Sequence, residues 1–237
     1  MKTVPICPKI RQFLFKAMHE VFKIGDFWSC IPAVSECCLC STCGTTEMMS
    51  HILIHCCSRP TRLIWRLAKE AWPHTNIPWP ETNLGTILGC GCLSVSQAIA
   101  NPRQPPDQNP RSAHLRGASC LLKILISELA FLIWALYCER VIHEKNHTHQ
   151  EIKSRWLNII NSRLTKDKIA TSKIKRNKGF TTLVLNIWEK VLHKENNIPN
   201  NWINMHEVLV GSCQGRSLRQ HAFKESQVQV LPKPPLS

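Results

Sequence analysis

Cys40-Ser-Thr-Cys43-Gly-Thr-Thr-Glu-Met-Met-Ser-His51-Ile-Leu-Ile-His55-Cys56 decides how the chain is read. Two cysteines separated by two residues are followed by a short arm, then by a second group of donors. This is the spacing with which a tetrahedral ion, Zn2+ above all, closes a small loop. The Cys-x-x-Cys turn presents two thiolates to one ion, and Gly44 directly after it relieves the backbone. Ser50 is placed to cap a helix that begins at His51. On a regular helix His51 and His55 share a face, whereas His51 and Cys56 diverge unless the helix starts late or kinks. Spacing therefore leaves two ligand sets open, Cys40, Cys43 and His51 with either His55 or Cys56.

The bulk composition frames this site. The chain has 237 residues, a formal charge of +14 and 43% apolar residues. That is enough apolar material for a real core in one or two domains. The charge predicts attraction to polyanions, nucleic acid before anionic membrane. The 13 cysteines are an odd number and several lie side by side. The N-terminus has no apolar signal core. The expectation is a reducing, intracellular compartment, nucleus or cytoplasm, with thiols free or metal-bound.

Working outward, residues 8 to 24 read as an amphipathic helix through Ile10, Phe13, Leu14, Ala17, Val21 and Ile24, ended by Gly25. From His51 on, Ile52, Leu53, Leu63, Ile64, Leu67 and Ala68 give the next helix its apolar face, with Pro60 as a break or kink. Asn101 to Pro110 is too rich in proline for a helix, so 93–115 reads as a linker. From Gly117 the pattern is helical and apolar on more than one side, which predicts a central, buried helix. Its longest uncharged piece, Leu129 to Cys138, is about half of what a membrane crossing needs, so no membrane partner is expected. Trp134 on it reads as core. Two further amphipathic helices are expected over 150–161 and 180–194. Between them Arg163, Lys166, Lys168, Lys173, Lys175, Arg176 and Lys178 form a basic loop that could face phosphates of RNA or DNA. It has no interleaved aromatics, so backbone contacts are expected rather than base reading. The tail 211–237 reads as disordered.

These readings give a mainly α fold, with a small zinc-stapled N-terminal module over 1–92, the linker, and a helical region over 116–210. His143-Glu-Lys-Asn-His147 matches the metallopeptidase pattern His-Glu-x-x-His, with Glu144 as the general base. Against it, Thr148-His149-Gln150 reads as the end of a helix, Gln150 and Lys153 stand where an extended motif needs Gly and His, and no Glu lies between Ser162 and Trp188 to serve as a third ligand. The residues at 143–147 are therefore read as a surface helix end, and a zinc peptidase is kept as an alternative. A protein–protein interaction module is a third reading.

One resemblance covers roughly residues 9 to 75. Arg11 to His19, Ile24-Gly-Asp-Phe-Trp28, Ile31-Pro32, the Cys40-x-x-Cys43 pair, His51 to Cys56 and Ile64-Trp-Arg-Leu-Ala68 look like the zinc-binding region of fungal non-LTR retrotransposon reverse transcriptases. Leu84 to Cys92 and Ile126 to Ile142 resemble the downstream part of the same reading frames. The family pattern, Cys-x-x-Cys then His-x4-Cys, implies Cys40, Cys43, His51 and Cys56 as the ligands. It implies an element-derived zinc module that helps to hold template nucleic acid, retained as a detached C-terminal piece or as a genomic relic. Polymerase chemistry needs clustered aspartates for two metal ions. Asp26, Asp107 and Asp167 are isolated from one another, so no catalytic residue is expected and the chain reads as a non-enzyme.

Overall fold

The computed structural model describes residues 6–95, 110–174, 177–199, 201–205 and 208–211. The linker expected over 93–115 falls largely outside this set, as do Lys175, Arg176 and the tail beyond Gly211. The fold is mainly helical. Among the described residues the only extended pairings are two antiparallel bridges, Leu39 with Thr46 and Leu192 with Val210.

The order is α1 (Pro8–Met18), a short α2 (Asp26–Ser29), a wide turn over His51–His55, α3 (Arg59–Ala71), a short α4 (Leu84–Leu88), α5 (Pro110–His143), α6 (His149–Lys173) and α7 (Lys178–Trp188). α5 is the axis. Leu121, Leu122, Leu125, Ile126, Leu129, Leu132, Ile133 and Leu136 are all buried, so it is covered on several sides. α1, α3 and the wide turn pack on it from the N-terminal part, and α6 and α7 from the C-terminal part. The apolar core runs without interruption from Ile10 to Val210, so the two halves of the sequence share it. Gly117 shows how close the packing is: a Cβ there would meet backbone and side-chain atoms of Asn186 on α7 at 2.6–2.7 Å. The segment Ala113–His143 is long and apolar enough to cross a membrane, and 72% of its apolar window is buried against the rest of the chain. Trp134 packs beside Phe22, with ring centres 4.3 Å apart, and Phe13.

Several boundaries differ from the expected ones, each for a local reason. α1 stops at Met18, six residues early, because Glu20 takes a left-handed φ of 52°. Pro60 sits in the first turn of α3 and starts that helix instead of breaking it. α5 begins at Pro110, ahead of Gly117, again with proline at a helix start. The Thr148-His149-Gln150 stretch opens α6 and does not end α5. Thr148 Oγ1 accepts from the Glu151 N–H while the Glu151 carboxylate accepts from the Thr148 N–H, a complete capping box. The expected basic loop is also helical as far as Lys173. The inward positions Trp156, Ile160, Leu164, Asp167 and Thr171 continue at helical spacing, and two of them are polar, which hides the period.

Candidate metal centre

The Cys40–Cys43 turn is a small closed loop. The Cys40 N–H donates to the Thr45 carbonyl at 2.8 Å, and the Gly44 N–H donates back to the Cys40 carbonyl at 2.7 Å. Gly44 has φ +69°, the conformation anticipated for it. The Leu39–Thr46 bridge and a bond from the Glu47 N–H to the Cys38 carbonyl, 2.9 Å, fasten the base of the loop.

The second pair of donors comes from the wide turn. The Cys56 N–H bonds the His51 carbonyl at 2.7 Å, five residues back rather than four. Such a turn is wider than an α-helical one. It brings His51 and Cys56 over one another, which a regular helix would not do. Cys56 itself leaves the turn with ψ 129°. Ser50 is already helical and its side chain caps nothing.

Cys40, Cys43, His51 and Cys56 therefore converge: their ligand atoms all lie within 4.8 Å of one another. His55 is exposed and outside the group. The Cys40 and Cys56 sulfurs are 3.8 Å apart and those of Cys43 and Cys56 are 3.9 Å apart. A tetrahedral ion with metal–sulfur bonds of about 2.3 Å needs sulfurs about 3.8 Å apart. A disulfide needs about 2.05 Å, and the described cysteines are all free. His51 Nδ1 lies 3.3 Å from Thr45 Oγ1, while its Nε2 is buried with no hydrogen-bond partner. A ligating imidazole commonly has this arrangement, one nitrogen held by a protein group and the other left for the ion. The four residues could hold a metal ion.

The three thiols sit in unequal surroundings. Burial alone would raise the Cys40 thiol; the His51 ring and the backbone N–H groups of Thr42 and Cys43 outweigh it and bring the thiol down to about 6. The Cys57 thiol, 2.9 Å from Cys43, pushes Cys43 up, and burial pushes Cys56 up. The sulfurs accept backbone bonds as well, Cys43 from the Cys57 N–H at 3.3 Å and Cys56 from the Ser58 N–H at 3.5 Å.

Comparison with protein-family models, curated proteins and solved structures finds no match.

Three residues that sequence reading passed over tie this loop to α5. Arg140 Nη1 donates to Thr42 Oγ1 at 2.6 Å, and its Nη2 lies 4.0 Å from the Cys40 sulfur and 3.7 Å from Glu47 Oε1. The Tyr137 hydroxyl donates to Glu47 Oε2. Glu47 is only 4% exposed, and these two partners offset the loss of its hydration. Tyr137 and Arg140 are far from the cluster in sequence, and only the helical spacing of the pair hints that they share a face.

The other predicted site residues are dispersed. His143 is the last residue of α5, and Glu144 has a left-handed φ of 51°. His147 is buried outside any helix, its Nε2 2.9 Å from Glu139. The two histidines thus share no helix face, and the peptidase arrangement is lost where α5 ends. Of the basic run, Arg163 is 7% exposed and paired with Asp167 at 3.3 Å and Glu128 at 3.9 Å, so it does not face phosphates. Lys168 donates to the Met205 carbonyl. Lys166, Lys173 and Lys178 are exposed.

Proposed function

We propose that this chain is a zinc-stabilised, non-catalytic nucleic-acid-binding module of the kind found in retrotransposon reverse transcriptases. The observation that carries the reading is the convergence of Cys40, Cys43, His51 and Cys56 within 4.8 Å. Three soft thiolates and an imidazole in a tetrahedral set favour zinc over harder ions. Four protein donors leave no open position for substrate, which is the pattern of a structural site. The +14 charge supports a polyanionic partner. The exposed Lys166, Lys173 and Lys178 support phosphate contacts from α6 and the start of α7.

The test is binding of the zinc-loaded protein to a short labelled RNA and to DNA of the same sequence over a salt series. A steep linear fall of log affinity with log salt is expected, because bound phosphates release counterions. Absent or salt-independent binding contradicts the reading.

A further inference from the structure

We infer that the principal nucleic-acid surface is the outer face of α3 and the tryptophan-lined cleft beside it, and that its ligand is a single strand. The inference rests on the nucleic-acid reading above and moves its site away from the 163–178 run. α3 begins just after Cys56, and its inner residues Leu63, Ile64, Ala68 and Ala71 are buried. Its outer residues Arg59, Arg62, Arg66 and Lys69 are all exposed. Their three-four-three spacing puts all four on one stripe. The stripe is about 15 Å long at the rise of an α-helix. Arg66 makes only a loose pair with Glu70, 3.9 Å, between two well-exposed side chains. A row of cations on a rigid helix, anchored at one end by the metal loop, suits a row of phosphates.

The stripe ends at an open cleft. It is lined by Ile54, Trp65 and Lys69 together with Trp79, Pro80, Glu81 and Thr82. The Trp65 N–H is spent on the Leu53 carbonyl at 2.7 Å and the Trp79 N–H on Thr82 Oγ1 at 3.1 Å. Trp79 is also steadied by Trp72, edge to face at 5.8 Å. Trp65 is only 8% exposed, so the ring surface the cleft offers is chiefly that of Trp79, held in place and with no free indole donor, which suits stacking of any base. The Glu81 carboxylate at its rim disfavours a phosphate there and accepts from a base amino group. Phosphates along α3 with a base in the cleft require an unpaired strand, since a duplex keeps its bases stacked inside.

The test uses full-length, zinc-loaded protein and fluorescence anisotropy with labelled oligouridylate, oligothymidylate and a DNA duplex. The combined Arg62→Ala, Arg66→Ala and Lys69→Ala variant is expected to lose at least about tenfold in single-strand affinity. Its salt slope should fall by about 2, at ~0.7 per lost phosphate contact. Trp79→Ala should lose roughly tenfold with an unchanged slope, and Trp79→Phe should recover most of that loss, because a ring is restored. Unchanged metal content verifies that each variant is folded. The inference is overturned if these variants bind as the wild type does; loss of binding on combined alanine substitution of Lys166, Lys173 and Lys178 would then leave the nucleic-acid reading standing. Tighter binding of the duplex than of the single strands also overturns it. Wild-type protein that binds neither strand nor duplex overturns both.

Discussion

The Cys56 N–H reaches back five residues to the His51 carbonyl at 2.7 Å, closing the wide turn that carries two donors of the candidate metal centre. A regular turn would offer His55 to the cysteine pair. The wide turn offers Cys56 instead and leaves His55 in solvent. Cys57, although 2.9 Å from the Cys43 sulfur, lies outside the four-donor group. Cys57→Ser should therefore keep the full metal content, measured by elemental analysis of the purified protein. Loss of the metal in that variant would make Cys57 a ligand.

Arg140 is expected to matter to the metal loop from the far side of the sequence. Its removal strands the buried Glu47 carboxylate with Tyr137 alone and takes a positive charge away from Cys40. Breaking a buried pair by removing one partner costs about 3–5 kcal/mol. Loss of a group supporting metal ligands typically weakens metal affinity by about 10–100-fold. Arg140→Ala should show both effects, read by thermal denaturation and by competition with a chelator. The combined Arg140→Leu and Glu47→Leu variant should recover much of the stability and none of the affinity.

Arg163→Ala should destabilise the fold, by about 3–5 kcal/mol for removal of one partner from a buried pair. Asp167 is 4% exposed and would keep only the Trp188 N–H, which donates at 3.1 Å. Denaturant unfolding measures the loss. The account is contradicted if Arg163→Ala unfolds like the wild type and weakens nucleic-acid binding instead.

The junction between α5 and α6 carries an acid-sensitive contact. Glu139 accepts two bonds from Arg155, at 2.6 and 2.9 Å, and meets His147 Nε2 at 2.9 Å. The Arg155 bonds foremost, with help from His147, hold its carboxyl down at about 2 against an ordinary 4.5. A carboxylate depressed on folding stabilises the native state above its unfolded value and loses that contribution as pH falls through its folded one. The wild type should therefore lose more stability than Glu139→Gln between about pH 4.5 and pH 2 in denaturant titrations. Parallel pH profiles for the two proteins would contradict the assignment.

Helical content, the buried axis from Leu121 to Leu136 and the Cys-x-x-Cys turn were legible because each is a local pattern: a hydrophobic period or a short spacing. The choice of Cys56 over His55 was not legible from spacing. The choice is made by the wide turn over His51–His55, a local backbone geometry that periodicity does not report. The reach of α6 through the basic run was hidden because two of its inward positions, Asp167 and Thr171, are polar. Asp167 is satisfied by the Trp188 N–H of α7 and by Arg163 one turn back on α6, and Thr171 by the Asp167 carbonyl. The cationic stripe of α3 was present as Arg59, Arg62, Arg66 and Lys69, but interleaved with the apolar residues that draw the eye. Glu47, Tyr137 and Arg140 meet only because α5 crosses the metal loop, a tertiary fact with no local signature.

Metal stoichiometry tests the central claim most directly. Purified protein should carry one zinc per chain by native mass spectrometry, retain it in His55→Ala and in His143→Ala, and lose it in Cys40→Ser and Cys56→Ser. Wild-type protein without zinc under conditions that supply it, or zinc that survives Cys56→Ser and disappears in His55→Ala, would contradict the account.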